Sequence, residues 1–259
     1  MKKTLIALAV AASAVVSGSA MAWTANGTGG NVELGGTLTP QEKITPWEVQ
    51  TGAAVTNLDE NITKGQTDVV IAVKKAIPVL GIRTVQKTPF QGKLGISPQI
   101  NYGNAVNLNS FKAGVATITL NVLDPQDNKL GVMTSDLLSA AQSSWSDPAG
   151  SGQKGLFAAQ AGDAFFGGLG KQAGVVINGT DAFNIIKAIN PEFVVRYDGQ
   201  NTRMLGNGAE TFASERAKYS GYYGAGIPVG KKIQIRLDAP AAADAIAWKA
   251  SLPVTVSYQ

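Results

Sequence analysis

The sequence predicts a mainly β protein, a sandwich or barrel of short strands, and three observations carry that expectation. Charged residues make up only 15% of the chain, while glycine alone fills 30 positions; such a balance suits strands and turns better than surface helices. Segments that alternate apolar and polar residues recur along the chain. Between them lie clusters of Gly, Pro and Asn at the short spacing of an all-β fold.

In chain order, Lys2 and Lys3 precede the apolar run Leu5–Val16, small residues follow, and Ala20-Met21-Ala22 fits a small-x-small cleavage site. The run is too short for a membrane span, so residues 1–22 are expected to be a signal peptide. Its removal leaves 237 of the 259 residues and takes away two cations, lowering the formal charge from +4 to +2. Asn31–Leu34 alternates and continues through Gly36 and Leu38. Further strands are expected at Thr67–Val73, Val115–Val122, Phe193–Tyr197, Lys232–Leu237 and Leu252–Tyr258. Gly65, Asp124-Pro125, Gly131, Asp198-Gly199 and Pro228 supply turn signals.

The middle differs. From about 136 to 215 the chain turns Ala/Gly-rich, with helix-compatible stretches at Leu156–Phe166 and Asp181–Ile189. Leu156, Phe157, Ala161, Ala164 and Phe165 can share one helical face. Asp181 is placed to cap the second helix, and Pro191 follows its end. Strand patterns flank the block on both sides, so it reads as an insertion into one β framework.

Composition closes off much chemistry. Cysteine and histidine are both absent, which removes Cys/His zinc sites, thiolate nucleophiles and Ser-His triads. No run of Lys or Arg exceeds two residues, so no phosphate-tracking surface for nucleic acid is expected. Gly150–Gly155 satisfies G-x-G-x-x-G, but no strand pattern precedes it and it reads as a Gly/Ser surface loop. Ser151 and Lys154 in that stretch have the spacing of penicillin-recognising enzymes, yet glycines flank the pair. Asp59-Glu60 is the sole adjacent acidic pair, so neither a glycosidase nor a metal site has a nucleus. The sequons at Asn26, Asn61 and Asn178 read as chance in a Gly/Asn/Thr-rich chain. No enzyme activity and no cofactor is expected.

The two ends carry the functional signal. In Gly30–Thr39, Val32, Leu34, Gly36 and Leu38 fall on one side of an extended strand; Asn31, Glu33, Gly35 and Thr37 fall on the other. The preceding stretch, residues 24–30, is polar and Gly-rich. A flexible leader before an amphipathic strand suits a groove in another molecule, although a first strand of its own sheet has the same pattern. At the other end Leu252, Val254, Val256 and Tyr258 alternate, and Pro253, which has no N–H, places that strand at an edge or at its own beginning.

These residues resemble the FaeG-type major subunits of the kappa-class chaperone–usher fimbriae of enteric bacteria. Gly30–Thr39 fits their G-x-V-[DE]-[IL]-G-G-[ST]-[IL]-T segment, and Trp248–Gln259 fits W-x-A-x-L-x-V-x-[IV]-[ST]-Y-x. Trp47-Glu48, Pro78–Gly81 with Arg83-Thr84, and Pro98–Ile100 resemble the first core strands and turns of that family. Phe165–Leu169 resembles a turn of its inserted region, whereas Trp145–Gly155 and Asn201–Glu215 match poorly.

The resemblance implies an incomplete immunoglobulin-like β-sandwich, residues 40–259 with the insertion at about 136–215, completed by donor-strand exchange. A periplasmic chaperone would cover the open groove first. At the outer-membrane usher, residues 23–39 of another copy would replace it, inserting Val32, Leu34 and Leu38, with Gly36 at a shallow pocket. Leu252, Val254, Val256 and Tyr258 would form the pairing edge. The subunit would reach the cell surface in a fimbrium and bind galactose-containing host glycoconjugates through its insertion. Trp145, between Ser144, Ser146 and Asp147, is the most sugar-like platform there; it could equally anchor the insertion, and Tyr222-Tyr223 is a second aromatic candidate. The alternatives are a non-adhesive structural or minor subunit and an outer-membrane β-barrel, the latter disfavoured by 7% aromatic content and a helix-like centre.

Overall fold

A computed structural model of the chain describes residues 25, 26, 32, 34–39 and 44–259. The expected signal peptide, residues 1–22, lies outside the described residues, as do Asn31 and Glu33. The chain divides into a unit ending at Lys43 and a body from Ile44 to Gln259. Among the described residues of the expected strand, Val32 and residues 34–39 carry no strand.

The body begins with β1 (Trp47–Thr51), β2 (Asp68–Ala72), β3 (Ile77–Thr84), β4 (Phe90–Gln91) and β5 (Pro98–Asn101). There follow β6 (Val106–Lys112), β7 (Val115–Leu123), β8 (Lys129–Asp147) and β9 (Gly150–Leu156). Helix α1 (Gly179–Ile189) precedes β10 (Met204–Gly208), β11 (Lys218–Ile227), β12 (Lys232–Leu237) and β13 (Thr255–Tyr258). The fold is mainly β, as the sequence predicts.

Period-two alternation explains the strands that bury one face. In β7, Ala116, Ile118, Leu120 and Val122 are buried while Thr117, Thr119 and Asn121 face solvent. β2 and β12 alternate the same way. Strand β8, 19 residues long, joins two ladders. Its first half lies between β7 and β12, and its second half between β11 and β9. The ladder runs β1-β3-β11-β8-β12-β2 and ends in open edges at β1 and β2. A closed barrel has no such edges, so among the described residues the barrel alternative fails.

The sheet of β3, β11 and β8 is covered on both faces. Leu137, Ala141 and Tyr223 enter the main core, which also holds Trp47, Leu80, Ile118 and Ile233. Ala140 and Tyr222 face the other way, onto Ala182, Ile186 and Ile189 of α1 and onto Phe193. The side chain of Asn178 caps α1 by accepting from the Thr180 N–H at 3.2 Å. Asp181, the expected cap, sits in the first turn instead, where its charge complements the helix dipole.

Glycines let this layer close. A Cβ at Gly224 would lie 2.3 Å from Ile186 Cγ2, and one at Gly81 would lie 2.1 Å from the Phe193 ring. Gly224→Ala is therefore expected to push α1 off the sheet, at a cost of about 1–3 kcal/mol for overpacking. Thermal unfolding followed by circular dichroism should show a loss of several degrees. An unchanged midpoint would mean that Ile186 does not press on β11.

Four expectations fail for identifiable reasons. Leu156–Phe166 is not a helix. Its backbone bonds to β5 instead, with Phe165 N–H on Pro98 O and Ile100 N–H on Phe166 O, while Asp163 accepts from the Ala159 and Gln160 N–H groups. Phe193–Tyr197 is not a strand; Asn190 caps Glu192 N–H, and successive tight turns carry Phe193 into the helix layer. Gly150–Gly155 is no surface loop but most of β9, paired with β8 from Gln142 to Asp147. Gly131 marks no turn. It lies inside β8, where a Cβ would meet Arg236 O at 2.1 Å.

Candidate functional site

The C-terminal residues predicted to form a pairing edge are brought together. β13 pairs antiparallel with β5 in a separate two-stranded sheet, Thr255 opposite Asn101 and Tyr258 opposite Pro98. Its ordered part starts two residues after Pro253, as a residue without an N–H requires; the expected strand from Leu252 is shorter by three residues. Leu252, Val254, Val256 and Tyr258 all turn toward the main core, yet each is only half-buried. Burial also pushes the Tyr258 phenol above its usual pKa, with a hydrogen bond to Thr45 acting the other way.

The main chain tells which edge is open. Ser97 and Gln259 exchange both N–H···O bonds, at 2.9 and 3.0 Å. In an antiparallel ladder the exchanging pairs recur every second residue, so the N–H and C=O of Val256 point away from β5. The far side of β5 is taken by the Phe165–Phe166 turn. Among the described residues β13 has β5 as its one strand neighbour. An extended segment laid on that edge would gain backbone hydrogen bonds and cover a half-exposed apolar row.

In the leader, Val32, Leu34 and Leu38 are 75, 93 and 97% exposed. Gly36 is also exposed. Three apolar side chains on one side of ten residues thus stand in solvent.

Trp145 lies on β8 opposite Gly152 of β9 and Tyr219 of β11. It is half-buried against the main core. Its indole lies over Gly150 and Gly152, 3.4 and 3.5 Å from where their Cβ atoms would stand, an ordinary contact distance. Exposed Leu205 of β10 leans over Gly152 beside it. Two of its polar neighbours are already engaged. Ser144 Oγ donates to Asp198 O at 2.6 Å, and Asp147 accepts from the Ala149 and Gly150 N–H groups in the turn.

Tyr222 and Tyr223 cannot serve as a sugar face, because both are fully buried. Tyr222 donates to Gln142 Oε1 at 2.9 Å, and the Tyr223 hydroxyl lies 2.9 Å from that of Tyr102. Burial holds both phenols protonated well above the ordinary range.

Sequence reasoning missed two clusters. Trp47, Phe90, Phe165, Phe212 and Tyr219 form an aromatic knot with ring centroids 4.9–6.2 Å apart. Phe165 and Phe212 both take positive φ there, which no local pattern announces. The second is an ion-pair chain, in which Arg83 bridges Glu48 and Glu192 while Arg196 also reaches Glu48. It lines a cleft with Gln50, Gly81 and Phe193 and fastens the turn after α1 to β1 and β3.

Comparison with known proteins follows the same lines. A protein family described as "Fimbrial, major and minor subunit" matches residues 1–259. The K88 fimbrial protein AB of Escherichia coli is 35% identical over 144 residues, 51% of this chain and 50% of that protein. The K88 fimbrial protein AC is 34% identical over 145 residues, 51% of each. The F41 fimbrial protein of the same species is 34% identical over 142 residues, 52% of this chain and 50% of its own. The chain thus spans about half the length of the curated relatives it matches.

Proposed function

Because the chain belongs to the family of fimbrial major and minor subunits, we propose that it polymerises by lending Gly30–Thr39 to the open edge of β13 in a neighbouring copy. One observation carries the reading: a single chain holds a half-covered apolar row on a strand with one neighbour among the described residues, and a separate alternating segment whose apolar side chains stand in solvent. Burial of Val32, Leu34 and Leu38 would contribute about 1.5–3 kcal/mol each, alongside the new ladder. Gly36 would face the shallowest part of the row. The same edge would be covered during export by a periplasmic chaperone, which hands the subunit to an outer-membrane usher. Residues 1–22 would be removed on the way to the cell surface, and about 136–215 would form the insertion.

The native chain has no cysteine, which makes a clean test possible. Subunits carrying Leu38→Cys and Val256→Cys should give a ladder of disulfide-linked oligomers on mild oxidation. Each single variant should give at most a dimer. Absence of the ladder from intact fimbriae would refute strand donation in this register, and a scan of Val254 and Tyr258 would cover its neighbours.

Adhesion is the second layer of the proposal, with Trp145 as the platform for the apolar face of a galactose-containing host glycan. A self-complemented monomer should bind such glycans on an array, and Trp145→Ala should abolish binding while leaving the fold intact. The internal engagement of Ser144 and Asp147 favours a second reading, a non-adhesive structural subunit. Binding unaffected by Trp145→Ala would remove Trp145 from the site, and no binding at all would leave the structural role.

A further inference from the structure

One peptide group stands between the start of the body and the end of β13. The indole Nε1–H of Trp47 donates to Ile96 O at 2.7 Å, across 49 residues of sequence. The N–H of Ser97, on the other side of the same planar peptide unit, donates to Gln259 O at 2.9 Å, and Gln259 N–H returns a bond to Ser97 O at 3.0 Å. Trp47, Ile96 and Ser97 are all buried. The bridge is polarised along its length and shielded from water at its Trp47–Ile96–Ser97 end, while Gln259 itself is exposed, so the buried bonds strengthen one another. Beside it, Tyr258 and Thr45 are hydrogen bonded, and Val85 N–H donates to Pro46 O at 2.8 Å.

We propose that the Ile96–Ser97 peptide is the mechanical link through which a fimbria under tension passes load across each subunit. The inference rests on the strand-donation reading. In a strand-linked polymer each subunit is pulled at two places: where its leader leaves the body, at residues 44–47, and along β13, which holds the neighbour's strand. Trp47 and Gln259 tie these two places together through one peptide unit. This path runs through none of α1, β9 and β10, so a ligand site on those elements would be spared most of the stretch, whereas Phe165 and Phe212, which pack against Trp47, would not.

The fixed ring packing explains why an aromatic residue does this work. Trp47 contacts Phe90, Phe165 and Phe212, so its N–H is aimed at Ile96 by rigid neighbours. Trp47→Phe keeps most of that packing and removes only the donor. Ile186→Val thins the helix layer on the opposite face of the sheet and serves as a control of comparable thermal cost.

Single fimbriae of each type would be stretched in an optical trap, and Tm measured on self-complemented monomers. The expected result is a marked fall in the force at which subunits yield in Trp47→Phe, with Ile186→Val near wild type at a matched loss of Tm. A chain ended at Tyr258, which loses both Gln259–Ser97 bonds but no core contact, should fall likewise and decides the matter if Trp47→Phe does not fold. Equal falls in all variants at equal Tm loss, or unchanged force without the Gln259 bond, would overturn the inference. The cysteine ladder separates the two claims. Fimbriae that cross-link but show no change in force refute the bridge alone, whereas fimbriae that never cross-link refute strand donation.

Discussion

A chain lacking residues 23–39 is expected to fold its body and still accept a strand at β13, yet to cap no other subunit. The body is a unit of its own from Ile44 onward, and among the described residues its buried core draws on none before Trp47. Deletion therefore removes the donated segment without opening a cavity. What is lost is the burial of Val32, Leu34 and Leu38, roughly 5–9 kcal/mol together at the per-side-chain values above, and a ladder of main-chain bonds. No fibre should be visible by electron microscopy, and the subunit should stay in the periplasm bound to chaperone. Moving the same segment behind Gln259 through a short flexible linker should give the opposite result, a soluble monomer that neither binds chaperone nor polymerises. Normal fibres from the deleted chain would refute the donor assignment outright.

Stability is expected to be flat from about pH 5.5 to 9 and to collapse above pH 10. No histidine is present, so no side chain has its ordinary titration near neutrality. All six tyrosines, in contrast, are shifted upward, each chiefly by burial. Tyr219 is pushed up to about 12, and Tyr102, Tyr197, Tyr222 and Tyr223 are more deeply held. A tyrosine in the unfolded chain ionises near pH 10. Above that value the unfolded state sheds protons that the folded state retains, so stability falls as pH rises; below it the two states bind the same number and nothing changes. Each deeply buried tyrosine contributes about 1.4 kcal/mol per pH unit in that window, and four of them suffice to exhaust an ordinary domain's margin within about two units. Denaturant midpoints should be constant from pH 6 to 9 and drop steeply by pH 11. Tyr222→Phe should make the drop shallower. A constant midpoint up to pH 12 would show that these phenols are not buried in the folded chain.

The Trp145 platform and the helix layer illustrate opposite degrees of legibility. Its polar neighbours mark Trp145 in the sequence, but the residues that shape its surroundings, Gly152 and Leu205, arrive from β9 and β10. Tyr222 and Tyr223 looked alike in sequence, and the fold buried both, one on each face of β11. A near-continuous run of apolar and small residues such as Tyr219–Ile227 was the signal that could have announced two-sided burial.

What the sequence determined by itself is what local periodicity can encode. One-faced strands such as β2, β7 and β12, a helix over Asp181–Ile189 that stops before Pro191, and the alternation of Leu252 to Tyr258 follow from local residue pattern alone, whereas the cap of that helix fell to Asn178 and not to Asp181. The tertiary structure decided whatever depends on partners far away in the chain. Gly150–Gly155 became a strand because β8 offered it a ladder, and Leu156–Phe166 became a turn because β5 took its backbone bonds. Glycines have no side chain to show a period, and a main-chain N–H takes whichever acceptor the fold brings near, so neither outcome could be written in the local pattern.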